Sequence, residues 1–235
     1  MEKKKAKNGG KTIRNLRLPP EKRIADIIAA AREILAEKDY ETALMSEIAE
    51  RAGVVEGTIY RYFENKRDLF IKVAEVWFEE ILAHNSSDAK IDGTLNKLRH
   101  MLWWVLSIIQ KEPVLTRFVL MELRPHPDYR STRVYQLNKK FTENVISVYR
   151  EAMEQGEFDQ SYDIPFIRDL VFGCIEHQTS AYLRKQGNFS VAELAEKIAT
   201  ITYKGLVKTI PDKEKNLEIA IDRLNAIADR LEKTN

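Results

Sequence analysis

The sequence predicts an all-α protein, and three observations carry that expectation. Apolar residues recur at helical i, i+3, i+4, i+7 spacing in almost every readable segment, beginning with Ile24, Ile27, Ile28, Ala31, Ile34 and Leu35. No strand-like alternation extends beyond a few residues. Glycine, proline and short polar stretches divide the periodic segments into about nine or ten helices.

The elements follow in order. Residues 1–19 are polar, basic and contain Gly9-Gly10, so they read as a disordered arm. Pro19-Pro20 sets up the first helix, because proline is tolerated in a first turn, and that helix ends near Glu37-Lys38. A second, short helix carries Met45, Ile48, Ala49 and Ala52 on one face and stops at Gly53, a left-handed cap. A third runs from about Val55 to Phe63 and turns Ile59 and Phe63 inward. The step Asn65-Lys66 opens a fourth, with Leu69, Phe70, Val73, Trp77 and Ile81 on its apolar side.

After a polar break at residues 84–92, helices are expected over about Thr94–Gln110 and Pro113–Leu123. Pro125-His126-Pro127 then forces a bend. Longer helices follow over about Tyr129–Gln155, Ile164–Lys185 and Ser190–Thr209, ended by Gly156, Gly187-Asn188 and Pro211. A tail helix from about Lys213 to Lys233 aligns Leu217, Ala220, Leu224, Ile227 and Leu231 at near-heptad spacing. Such a helix either packs across a dimer or folds back on its own subunit.

Composition narrows the function. With 235 residues, 44% of them hydrophobic, the chain can bury a real core in one or two domains. A net charge of +2 excludes a bulk polycation. Charge is nevertheless concentrated at the start, where Lys3, Lys4, Lys5, Lys7, Lys11, Arg14, Arg17, Lys22 and Arg23 face only Glu2 and Glu21. Such an arm either reaches for nucleic acid or is a solvated tail. Cys174 is the only cysteine, which excludes an internal disulfide and a cysteine-based metal site and favours a reducing compartment. The longest apolar run, Met101–Ile109, is shorter than the roughly 18 residues of a membrane span. The first residues lack the apolar core of a signal peptide, so a cytoplasmic location with no membrane partner is expected.

Enzymatic signatures are missing. The sequence has no histidine pair at i, i+4, no phosphate-cradling glycine loop and no Ser/His/Asp set. Cys174 and His177 lie one helical turn apart, but no third group is evident to orient them. No catalytic residue, metal or cofactor is therefore expected.

The segment from Ile48 to Leu69 is different. Two short helices joined by a tight glycine turn form a helix-turn-helix, whose second helix enters the DNA major groove. Exposed side chains near the start of that helix read base edges; here these are Val55, Glu56, Gly57, Thr58 and Arg61. Thr58, Tyr60 and Tyr62 offer hydroxyls to phosphate, and Lys66 adds a charge at a helix N-terminus. Taken singly, Tyr60, Tyr62 and Thr58 are equally consistent with packing or capping. Glu56 either accepts from a cytosine amino group or complements the helix dipole in the first turn.

From Arg23 to Phe70 the chain resembles the DNA-binding domain of the TetR family of bacterial transcriptional regulators. The resemblance rests on Ile28, Ala31, Leu35, Tyr40, Ile48-Ala49 and Ala52-Gly53-Val54, then on Gly57-Thr58-Ile59-Tyr60-Arg61-Tyr62-Phe63, Asn65-Lys66, Leu69 and Phe70. It implies a helix-turn-helix domain over residues 20–66 and a ligand-binding and dimerisation domain over 67–210, beyond which the tail helix over 211–235 is an extra element. By the same resemblance the protein is a homodimeric repressor that binds a pseudo-palindromic operator on double-stranded DNA. A small apolar or amphipathic inducer releases it. Base or groove contacts are implied for Ser46, Val55, Glu56, Gly57 and Arg61, and phosphate contacts for Thr58, Tyr60, Tyr62 and Lys66.

Two departures from the family pattern stand out. Asp39 occupies the usual glycine position before Tyr40, and Ala43-Leu44 replaces the usual threonine or serine at the start of the second helix. The latter removes a side-chain cap, which Thr42 can replace by starting the helix earlier.

Candidate pocket residues are Met101, Trp103, Trp104, Phe118, Met121, Phe141, Tyr149 and Phe172. His100, Arg117, Glu122 and His177 are candidate polar anchors. The resemblance places the dimer interface on the helices over Ile164–Lys185 and Ser190–Thr209, with Phe166, Leu170, Gly173, Ala181, Leu194, Ile198 and Ile201 as candidates. All of these residues are also consistent with an ordinary core. The alternative function is a non-specific DNA-binding protein, whose affinity would fall steeply with salt.

Overall fold

A computed structural model describes residues 19–84, 91–208, 221, 223 and 224. The basic arm, apart from Pro19, and most of the tail helix lie outside the described residues. Among the described residues the structure contains nine α-helices, and its only strand-like feature is an isolated bridge between Phe158 and Val207. The chain divides into two compact units, Met1–Ala74 and Glu75–Asn235.

The first unit holds α1 (Pro20–Glu37), α2 (Met45–Arg51), α3 (Glu56–Ile59) and the first turns of α4 (Lys66–Ala83). Burial of Ile27, Ile28, Ala31, Ile34 and Leu35 makes α1 the platform on which α2 packs. Gly53 closes α2 at φ +65°, where a Cβ would be strained. The Val54 N–H donates to the Ala49 carbonyl (2.9 Å) and the Gly53 N–H to that of Glu50 (3.0 Å), the paired bonds of a Schellman stop.

Thr42 does not begin α2 early. Its hydroxyl and its N–H both donate to the Asp39 carbonyl at 3.1 Å, which ties them into the preceding turn. The missing cap is supplied from inside the helix, where a Glu47 carboxylate oxygen accepts from the Leu44 N–H at 3.4 Å. Asp39 causes no backbone strain, because Lys185 is the one non-glycine residue with positive φ among the described residues.

The third helix is shorter than its periodicity predicts. Regular α-helix ends at Ile59, and the chain tightens through Arg61 N–H to Thr58 carbonyl (3.3 Å) and Tyr62 N–H to Ile59 carbonyl (2.9 Å). These i→i−3 bonds carry the turn on to Phe63 and keep Ile59 and Phe63 buried on one side. Asn65 then caps α4, its side-chain oxygen accepting from the Asp68 N–H at 2.9 Å.

In the second unit α5 (Thr94–Lys111) packs along α9 (Val191–Leu206) and also against α7 (Arg133–Glu154). The helix begun by Pro113 changes character midway: α6 (Pro113–Arg117) runs into a π-helical turn over Phe118–Leu123. That turn closes with the Arg124 N–H donating to the Val119 carbonyl at 3.0 Å. Helix α7 begins at Arg133 rather than Tyr129, because the Thr132 hydroxyl caps it by accepting from the Tyr135 N–H at 3.2 Å. Residues Tyr129–Ser131 form a separate 3-10 turn. Helix α8 spans Ile164–Leu183 and closes at Lys185, φ +60°, not at Gly187. There the Gln186 N–H donates to the Ala181 carbonyl at 2.8 Å, the same stop as at Gly53 but built on a side chain that disfavours it.

Tyr149 is fully buried between α7 and α9, and its hydroxyl lies 3.1 Å from that of Thr202. Burial pushes this phenol up to about 12.

Two outcomes follow for chemical denaturation. Gly53→Ala should lower the unfolding free energy of the first unit by about 1 kcal/mol, and Lys185→Gly should raise that of the second by a similar amount. Tyr149 is neutral in both states below its ordinary pKa near 10, so its contribution is constant there and falls as pH rises from about 10 to about 12. Tyr149→Phe should flatten that part of the alkaline stability curve.

Candidate functional site

Helix α3 is four residues long, too short to hold its shape without packing. Its orientation comes from Ile59 (0% exposed) and Phe63 (6%), which insert into the core of the first unit. Because those two face inward, Val55 (75% exposed), Glu56, Gly57, Tyr60 and Arg61 face out. Ser46, on α2, is exposed as well. Thr58, Tyr62 and Lys66 are half-buried. Among the described residues, the Arg61 guanidinium and the Tyr60 and Tyr62 hydroxyls have no protein partner. They are donors available to an outside acceptor.

Lys66 has a second task. Its ammonium donates to the Glu41 carbonyl at 3.1 Å and sits 4.7 Å from the centre of the Tyr40 ring. The ring in turn meets Phe70 edge-on at 5.3 Å. Lys66 therefore ties the α1–α2 turn to the start of α4 while keeping donors to spare. Burial holds its ammonium somewhat below the ordinary lysine value, opposed by Glu41.

A cavity of about 450 Å³ lies within the second unit. Trp77, Phe78 and Ile81 of α4 line it, together with Val105, Ile108 and Ile109 of α5. Thr116, Val119, Leu120 and Arg124 follow from α6 and the π turn. Helix α7 presents a mixed stripe of Tyr135, Asn138, Phe141, Thr142, Ile146 and Arg150, and α8 presents Ile164, Arg168, Phe172, Ile175 and Glu176. Apolar residues make up more than half of this wall, and charged side chains, Lys139, Glu143 and Asp169 among them, share the remainder with Thr116, Tyr135, Asn138 and Thr142.

Of the pocket residues expected from the sequence, Phe141 and Phe172 line this cavity. Phe118 is buried beside it in the core, and Tyr149 is bonded to Thr202. Trp104 supports the wall from behind, its ring 5.3 Å from that of Phe141. Trp103 is 49% exposed, and His177 is exposed on α8. His100, Met101, Arg117, Met121 and Glu122 are not among the lining residues. Sequence reading missed Arg124, Tyr135, Asn138, Thr142 and Glu176. For Tyr135, Asn138 and Thr142 the signal was polar residues in register with apolar ones on one face of α7.

The expected interface residues divide in two. Phe166, Leu170, Gly173 and Ile201 are exposed and Ala181 is half-buried. Leu194 (9% exposed) and Ile198 (4%) belong to the core of their own subunit, where α9 lies against α5.

A helix-turn-helix unit followed by a helical unit with an apolar cavity defines a DNA-binding regulator. Residues 27–73 match the family profile described as bacterial regulatory proteins, tetR family, and residues 92–206 match the profile of the tetracyclin repressor-like C-terminal domain. The uncharacterized HTH-type transcriptional regulator YvkB of Bacillus subtilis is 40% identical over 193 residues, covering 71% of this chain and 96% of that protein. The chain belongs to the TetR family of bacterial transcriptional regulators. The fatty acid metabolism regulator protein of Bacillus subtilis is 25% identical over 181 residues, covering 77% of this chain and 93% of that protein. The fold is shared with the crystal structure of the regulator FadR from Bacillus subtilis in complex with stearoyl-CoA, with TM-score 0.65, 24% identity and coverage of 77% and 98%. It is shared also with the fatty acid degradation regulator FadR from Bacillus halodurans, with TM-score 0.63, 23% identity and coverage of 79% and 95%.

The Lys66–Tyr40 contact can be measured by a double-mutant cycle. Lys66→Ala and Tyr40→Leu should each lower the stability of the first unit by about 1 kcal/mol, and the pair should show about 0.5 kcal/mol of coupling.

Proposed function

We propose that this regulator is a homodimeric repressor that binds a two-fold symmetric operator and is released by an amphipathic acyl compound. The observation that carries the DNA-binding part is the outward face of α3 and of the turn that follows it, held by Ile59 and Phe63 and carrying the unpartnered donors of Tyr60, Arg61 and Tyr62. On this reading Ser46, Val55, Gly57 and Arg61 meet base edges or the groove, while Thr58, Tyr60, Tyr62 and Lys66 hold the backbone. Glu56 sits in the first turn of α3, where it complements the helix dipole.

Two copies meet through the exposed stripe Phe166, Leu170, Gly173 on α8 together with Ile201 on α9. Spacings of four and three place the α8 residues on one face, and Gly173 permits close approach. The effector occupies the cavity of the second unit. Support comes from its apolar wall and from two relatives, one named a fatty acid metabolism regulator and one crystallised with stearoyl-CoA. Helix α4 carries residues of both units, with Trp77, Phe78 and Ile81 in the cavity wall and Lys66 at its start. A ligand that moves the former acts on the latter through one continuous helix.

Selection of bound sequences from random DNA, followed by titration at several salt concentrations, tests the reading. A two-fold symmetric site is expected, and loss of affinity on adding stearoyl-CoA. Arg61→Ala should relax base preference at one position per half-site and cost about 1–3 kcal/mol. Tyr62→Ala should weaken all sequences alike. Binding with no preferred sequence would establish the non-specific alternative instead.

A further inference from the structure

The cavity is not uniformly apolar, and its charged groups differ in how they are paired. Arg150 bonds Glu143 of its own helix, and Arg168 bonds its chain neighbour Asp169 at 2.8 Å. Arg124 is different. Its guanidinium bonds Glu176 of α8, so this pair alone among the ion pairs of the lining joins two walls. Both side chains remain partly open, at 37% and 38% exposure. Around them stand Tyr135, Asn138 and Tyr129, the last accepting from the Asn138 side-chain amide at 3.1 Å. These groups form a polar end to a cavity whose remaining wall combines Trp77, Phe78, Val105, Ile109 and Phe172 with the charged residues Lys139, Arg150 and Arg168.

A second, independent observation falls on the same residue. Arg124 directly follows the π turn, and its N–H makes the closing i→i−5 bond to Val119. A π turn holds one residue more than an α-helical turn, an arrangement that recurs at functional sites. It places Val119 and Leu120 on the cavity wall and delivers the Arg124 side chain to the polar end.

The geometry points to Arg124 as the seat of an anionic end group on an apolar chain, with Glu176 as the internal counter-ion that the ligand displaces. Arginine suits such a group because its planar fork takes a carboxylate or a phosphate in two parallel bonds. Here one Glu176 oxygen accepts from one nitrogen of that fork. An incoming oxyanion takes its place and unties α8 from the π turn. The seat therefore selects for charge, and the apolar walls select for chain. This inference rests on the reading of the cavity as the effector site.

The test uses the full-length protein and three probes: dodecanoate, dodecanoyl-coenzyme A and dodecanol. Binding is read from tryptophan fluorescence, with Trp77 in the cavity wall, and by calorimetry. Arg124→Gln should weaken at least one anionic probe about tenfold or more and leave dodecanol unchanged. Which anionic probe suffers tells a carboxylate seat from a phosphate seat. Glu176→Gln should tighten the same probe severalfold, because it removes the competitor. Thermal unfolding of both variants gives the structural control, since loss of a mere tie between helices destabilises them equally and moves all three probes together. Equal effects on dodecanol and the anions, or weaker anion binding in Glu176→Gln, would overturn the inference. If the wild-type protein binds none of the probes, the effector-site reading falls first and this inference with it.

Discussion

The inward anchoring of Ile59 and Phe63 is the constraint on which the outward surface of the helix-turn-helix unit depends. A four-residue helix cannot hold itself in water, since nucleation alone costs more than its few hydrogen bonds return. Burial of two large side chains supplies the missing stability, at roughly 1.5–3 kcal/mol each. It also fixes rotation about the helix axis, so the same contacts decide which residues face outward. Gly53 on one side and Asn65 on the other stop the flanking helices, so the segment between them is short and its exposed face is set by α2 and α4. Lys66 adds a tether by joining the α1–α2 turn to the start of α4 through Glu41 and Tyr40. Stability and recognition in this unit are thus properties of the same few side chains.

The second unit solves a different problem. A helix with one apolar stripe can bury it against one neighbour, but α8 must serve three surroundings. Ile167, Val171, Ile175 and Thr179 face the core, Arg168, Phe172 and Glu176 meet the cavity, and Phe166, Leu170 and Gly173 are exposed. Its apolar residues accordingly run most of the way round, and a single-face pattern is lost. Helix α7 is the converse case: its strong stripe is buried, and polar side chains along the edge of that stripe border the cavity.

These differences explain what could be read in the chain. Helical period and stop signals placed nearly every helix, because burial on one face and a glycine or proline at the end are local facts. The inward and outward faces of residues 55–63 were legible for the same reason, with Ile59 and Phe63 on one side and Arg61 on the other. Period reports that a side chain is buried but not what lies across from it. Phe118, Trp104 and Tyr149 share the signature of Phe141 and Phe172, yet Phe118 and Tyr149 fill the core, Trp104 is half-buried against Phe141, and the last two border a void. Leu194 and Ile198 likewise carry the same apolar signal as Phe166 and Leu170, and only the position of α5 separates them. The π turn has no period of its own, and the left-handed stop at Lys185 hides behind a residue that normally avoids it.

A cavity with charges in its wall carries an energetic obligation that a dry one does not. An ionised group facing an apolar space is costly unless paired or solvated: each lining arginine has a carboxylate partner, and the lining Lys139 is exposed. Pairs within one helix leave the relation between walls untouched. A pair between helices makes that relation part of the electrostatics, so on the proposed reading a bound oxyanion changes which acid the guanidinium holds. A ligand shifts such an equilibrium only by its differential affinity for the two arrangements. An apolar chain that merely filled the space would bind without favouring either. Differential affinity needs a group that competes with an internal partner, and in this cavity the cross-wall pair at the end of the π turn is where such competition has a structural consequence.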